Sequence, residues 1–177
     1  DGGGLFISSG GGTMSGGLIA NNSAGRGGGV FVSESTAAFT QSGGTVSGND
    51  ATNGGGLFVD FGQAALSGGQ ITGNTAAEYG GGVMVNRDVA SFGQSGASGV
   101  SGNYADYGGG VFISFGAATL SGGQISGNTA WLNGGGVFVS QASAVLLQNG
   151  SHAISGNDAT LGGGVYCGSG SVTINGG

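Results

Sequence analysis

The side chains able to carry acid–base, nucleophilic or metal chemistry are few: Arg26, Arg87, eight carboxylates, His152 and Cys167, in 177 residues. Ca²⁺-assisted elimination needs clustered carboxylates with an Arg or Lys as base or electrostatic stabiliser. Arg26 precedes a glycine triplet and Arg87 follows an apolar run two repeats later. On different turns, they are not expected to share a site. Aligned on the repeat, Arg87 instead falls between Phe61 and Phe115, as in a cation–π column. Glycosidic hydrolysis needs two carboxyls converging at ~5 to 9.5 Å. Asp50 and Asp158 hold the same place in distant repeats, and Asp60, Asp88 and Asp106 fall on different corners. They read as solvated turn carboxylates, and they do not follow the Ca²⁺-binding nonapeptide pattern of β-rolls. His152 replaces a glycine of a recurrent "SGG" turn with no nearby Cys or His to share a metal, and reads as a surface histidine. Cys167 stands where other repeats have Val or Ile, and reads as a small buried hydrophobe that, if exposed, could pair between molecules. No catalytic set, metal or cofactor is expected, and the chain reads as a non-enzyme.

The positions of these groups follow from a repeat. Glycine triplets begin at Gly2, Gly27, Gly54, Gly80, Gly108, Gly134 and Gly162, with spacings of 25, 27, 26, 28, 26 and 28 residues. A period in the twenties indicates a solenoid. Each period runs from the triplet through a "VFV"-like segment, an apolar pair, "SGG" and an Ile or Val among small polar residues to "GN". Apolar positions alternate with period two, and no segment suits an amphipathic helix. The expected fold is all-β: a single domain over 1–177, a right-handed parallel β-helix with three short strands per coil and six coils plus a partial seventh. Strands of successive coils pair in parallel ~4.8 Å apart, with the crossover hand that such connections prefer. The lack of proline in the whole chain agrees, because a strand paired on both sides needs its N–H.

Two ladders follow from stacking. Asn22, Asn49, Asn74, Asn103, Asn128 and Asn157 share one corner, where Asn tolerates a left-handed backbone and bonds turn groups, so they form a structural amide ladder. The middle residue of the "VFV" segment is Phe6, Phe31, Phe58, Met84, Phe112, Phe138 and then Tyr166, and its parity matches the mostly polar residue two places on. Parity therefore turns this column outward, as a larger apolar strip than monomers leave bare. Either it is a lateral assembly ladder covered by a partner, or the aromatics stack inside and the valines line the outer face. Tyr79, Tyr104, Tyr107 and Trp131 fall on consecutive coils of one edge, where an aromatic patch would suit sugar rings or a protein partner.

Composition excludes some partners. Forty-eight glycines and 6% charged residues resemble a linker, but 37% hydrophobic residues at fixed places do not. A net charge of −6 with only two basic residues argues against nucleic acid or anionic lipid, which need clustered Lys and Arg. Apolar runs such as Ala144 to Leu147 fall far below the ~18 residues of a spanning helix. Asn21 and Asn149 begin formal glycosylation sequons.

The "GGG[VL]F[VI]" corners with paired "SGN" segments resemble, along the whole chain, the repeats of polymorphic outer-membrane proteins and autotransporter passenger domains, which belong to the pectin-lyase-like β-helices. The second signature of those families, Phe-x-x-Asn, is not kept: the equivalent stretches read "FTQS" at Phe39 and "LSGG" at Leu66 and Leu120. The resemblance implies a secreted or bacterial cell-surface protein, a stalk or adhesin. The expected function is a rigid structural or adhesive fibre that assembles with itself, end to end or laterally, or with flanking β-helix. The alternative is a β-helix that binds or cleaves polysaccharide, with glycans as partners. A remote alternative is ice binding on the hydroxyl row of the third strand (Thr45, Ser47, Thr72, Ser126), which Gly99 and Ala153 interrupt.

Overall fold

Residues 1–176 are described by a computed structural model. It is a β-solenoid of parallel strands in three sheets, with no helix among the described residues. The first sheet stacks the seven "VFV" segments, from Leu5–Ile7 to Val165–Cys167, residue upon residue without slippage. The second sheet has two legs, such as Gln63–Leu66 and Gln70–Thr72, which in the second coil are one bent strand, Ala37–Ser47. The third sheet stacks six segments, from Ser23–Arg26 to Asp158–Leu161. The outer positions of the "VFV" segments join inward residues of the second sheet, such as Phe39, Leu66, Ile71 and Phe92, in one fully buried core.

The glycine triplet serves two purposes. At Gly108–Gly110 the first glycine takes φ 64°, a left-handed turn that a side chain disfavours. A Cβ on either of the others would strike the neighbouring coil's backbone: the Thr129 carbonyl oxygen for Gly109, and Gly136 O at 2.5 Å for Gly110. Successive coils thus meet at this corner backbone to backbone, closer than any Cβ permits.

Register reveals a longer repeat. Val83 to Ser91 pairs with Val111 to Ala117, so the fourth coil spends two more residues on this corner than the fifth. The second and sixth coils share the long corner, and the first, third and seventh the short one. Each long corner is a projecting turn, closed by Ala37 N–H to Glu34 O, Ala90 N–H to Arg87 O and Ala144 N–H to Gln141 O at 2.8–2.9 Å. The core alternates in step. Met14, Gln41, Leu66, Gln94, Leu120, Gln148 and Ile174 form one register column, and its three glutamines lie in the long-corner coils. Each buried amide donates to its own turn and to the next coil, as Gln94 Nε2 does to Ser98 O (3.2 Å) and Gln124 O (3.0 Å). The structural unit is therefore a pair of coils.

Candidate functional site

The outer face of the first sheet is where aromatic, amide and charged groups meet. The middle "VFV" residues leave the core, as parity requires, and form a second apolar cluster of Phe31, Phe58, Met84, Phe112 and Phe138. This column is not the bare strip expected from parity alone. Those five are at most 9% exposed, and only Phe6, on the first coil, is open at 47%. The cover comes from the chain itself: Tyr79 and Tyr107 pack against the column, and the Arg26 guanidinium lies 5.0 Å from the Phe31 ring centre. A lateral partner is therefore not needed to keep these residues from water.

The column changes geometry at Met84. Below it, Phe6, Phe31 and Phe58 stack nearly parallel, 5.3 and 5.2 Å apart. Above it, Phe112, Phe138 and Tyr166 meet edge to face, and Tyr79 tilts onto Phe112 at 4.7 Å. At the break lies a cleft of about 350 Å³ floored by Phe58, Met84 and Phe112. Asn53 and Tyr79 form one wall, Asn86, Ser114, Ser140 and Gln141 the other, and Arg26 closes one end. Asn53 Oδ1 is buried and receives no hydrogen bond.

The charged groups converge on one carboxylate. Asp60, 7% exposed, lies 3.7 Å from Arg26 Nη1 and 3.4 Å from Arg87 Nε, and accepts from Asn86 Nδ2 at 2.7 Å. Arg26 also makes a paired contact with Asp1 at 2.8 and 2.7 Å. The two arginines do meet at a shared group, contrary to expectation, because their side chains are long compared with the ~4.8 Å rise of a coil. Arg87 lies over Phe61 at 5.3 Å, and no matching contact is made with Phe115. Each cation is thus paired with a carboxylate where it stands.

The four residues expected as one aromatic patch are divided. Tyr79 and Tyr107 stack on each other at 5.5 Å and roof the Phe column. Tyr104 and Trp131 lie on the outer face of the third sheet, exposed at 40% and 67%, around a separate depression with Thr129, Asp158 and Thr160. Alternation explains the division: Ala105 and Ala130 point inward, so their neighbours Tyr104 and Trp131 point out. Tyr107 and Tyr79 instead share the register of Asn53, beside the triplet corner.

The asparagine corner forms an unbroken chain of bonds. Asn22, Asn49, Asn74, Asn103 and Asn128 each direct their backbone N–H and side-chain Nδ2 to Oδ1 of the next, ending on Asn157, at 2.9–3.0 Å. Nδ2 of each from Asn49 onward also reaches a carbonyl of the preceding coil. The left-handed backbone at this corner belongs to the preceding glycine, as at Gly127 (φ 62°), and only in the first coil to an asparagine, Asn21 (φ 57°). From Asn49 to Asn157 each side-chain amide both donates and accepts, so this ladder ties successive coils together.

Two single residues differ from expectation. His152 is fully buried, its Nε2 3.3 Å from Gln94 Oε1. Because that oxygen only accepts, Nε2 carries the proton and the unpartnered Nδ1 does not. Burial lowers the His152 pKa to about 4, so the ring is neutral. Cys167 is exposed because no coil covers the last "VFV" segment among the described residues, and its Sγ contacts Gly170 O at 3.2 Å. Among the described residues no three His, Cys, Asp or Glu side chains cluster as a metal site would need. Asp50 and Asp158 occupy one register column with three coils between them. Comparison with protein-family models, with curated proteins and with solved structures finds no match.

Proposed function

We propose that the chain is a non-enzymatic structural element of a secreted or bacterial cell-surface rod, which extends by stacking coils onto its ends. The single observation that carries this reading is the continuity of the stacking. The seven "VFV" segments pair in parallel, residue upon residue, and the asparagine ladder runs bond to bond from Asn22 to Asn157. Continuous ladders through the interior make the body rigid, and the paired or solvated charges leave no evident acid–base pair. The resemblance of the "GGG[VL]F[VI]" corners to polymorphic outer-membrane and autotransporter repeats supports the surface setting and the role of stalk or adhesin.

Electron microscopy of the purified chain over a range of concentrations tests this. Filaments with a coil-derived axial repeat, or rods that lengthen with concentration, are expected. A stable monomer at high concentration, with short rods of constant length, would refute assembly through the ends.

A further inference from the structure

We infer that the cleft at Met84 is a binding site for a neutral pyranose unit of a glycan. Its volume, about 350 Å³, falls at the small end of ligand sites, and it has their usual make-up of an apolar floor with a few placed polar groups. Met84 creates it. In the other coils the same register position holds an aromatic ring, whereas the thioether is unbranched and slimmer, so the floor drops between Phe58 and Phe112. Such a floor accepts the C–H face of a sugar ring.

The walls select against charge and in favour of hydroxyls. Asn53, Tyr79, Asn86 and Ser114 present amides and hydroxyls, groups that can both donate and accept. The one cation at the rim, Arg26, is already held by Asp1 and lies beside Asp60, so an anionic ligand would have to compete with carboxylates in place. Asn53 supplies the most specific argument. Its Oδ1 is an acceptor without a donor, and a buried acceptor left unpaired is costly. Asn53 lines the cleft, and its missing donor is assigned to a ligand hydroxyl. A tyrosine side chain from a protein partner is the rival occupant, but it brings one hydroxyl to a rim of several amides and hydroxyls. This inference does not rest on end-to-end assembly, and its test leaves rod formation as a separate readout.

The chain has only two methionines, Met84 in the cleft floor and Met14 buried in the core. With ¹³C-methyl methionine, Met84 reports the cleft and Met14 is the internal control. Titration with cellopentaose and with maltopentaose is expected to move the Met84 methyl signal saturably for at least one of them, with Met14 unmoved. Met84→Phe restores the residue common in that register, so the variant should fold and form rods as before. Calorimetry should then show affinity at least tenfold lower, and Asn53→Ala should weaken it several-fold. The inference is overturned if neither oligosaccharide moves Met84 at 10 mM, if Met84→Phe binds undiminished, or if N-acetyltyrosinamide moves Met84 while both sugars fail.

Discussion

The amide ladder makes a quantitative prediction. Replacing Asn103 by Ala deletes four hydrogen bonds of 2.9–3.1 Å: two accepted by Oδ1 from Asn74, and two donated by Nδ2 to Ile71 O and Asn128 Oδ1. Asn74 Nδ2 keeps Val46 O, and Asn128 Oδ1 keeps the Asn103 N–H, so these groups remain partly satisfied. The buried Asn74 N–H loses its acceptor outright. One orphaned buried donor costs roughly 1–3 kcal/mol and each of the three further bonds about 1 kcal/mol net, so the loss should be about 4–6 kcal/mol. Asn22→Ala removes a single side-chain bond in a half-exposed end coil and should cost at most about 1 kcal/mol. Because solenoids can unfold in parts, the assay is hydrogen exchange rather than one melting curve. The Asn74 amide should exchange at least a hundredfold faster in Asn103→Ala, with little change at Asn128. Equal effects of the Asn22 and Asn103 variants, or an Asn74 amide still protected after the substitution, would refute the view that the ladder bonds hold the coils together.

Two further outcomes are expected. His152 is neutral in the folded chain with its pKa lowered to about 4 from an ordinary 6.5, so the unfolded chain binds the proton first and stability falls as pH drops from 6.5 toward 4. The loss is up to about 3 kcal/mol, complete near pH 4 and absent above 6.5, and urea titrations of His152→Ser should show it removed between pH 6.5 and 5. At the glycines, Gly127→Asn should shift the midpoint of thermal unfolding by little, because Asn21 already adopts that backbone. Gly110→Ala should lower it sharply or abolish folding, since its Cβ meets Gly136 O at 2.5 Å.

Much of this architecture is legible in the residues, because a solenoid writes its geometry as a period. The triplets mark the corner, the alternation marks the strands, and recurrent "GN" marks the asparagine column. Other features are hidden for physical reasons. Parity says which side of the sheet Phe58 and Phe112 occupy but not what lies above it. Tyr79 and Tyr107 cover that face from across the triplet corner, a contact that depends on how sharply the chain bends. Gln94 reads as a surface residue by type. Only its register with Leu66 and Leu120 reveals it as core, with its polar atoms bonded to turn carbonyls. His152 is misjudged likewise, since a place filled elsewhere by small turn residues suggests exposure, whereas here the ring fills space inside the corner. The cleft leaves one trace, the single Met in an otherwise aromatic column.

The alternation of long and short corners constrains how such a rod can change length. Removing one coil would bring two projecting turns, or two flush ones, face to face, and would place Gln on Gln or Leu on Leu inside. Removing or duplicating two coils leaves every neighbour as it was. Growth of this scaffold by tandem duplication should therefore proceed in even increments, as on a ruler marked only at every second division.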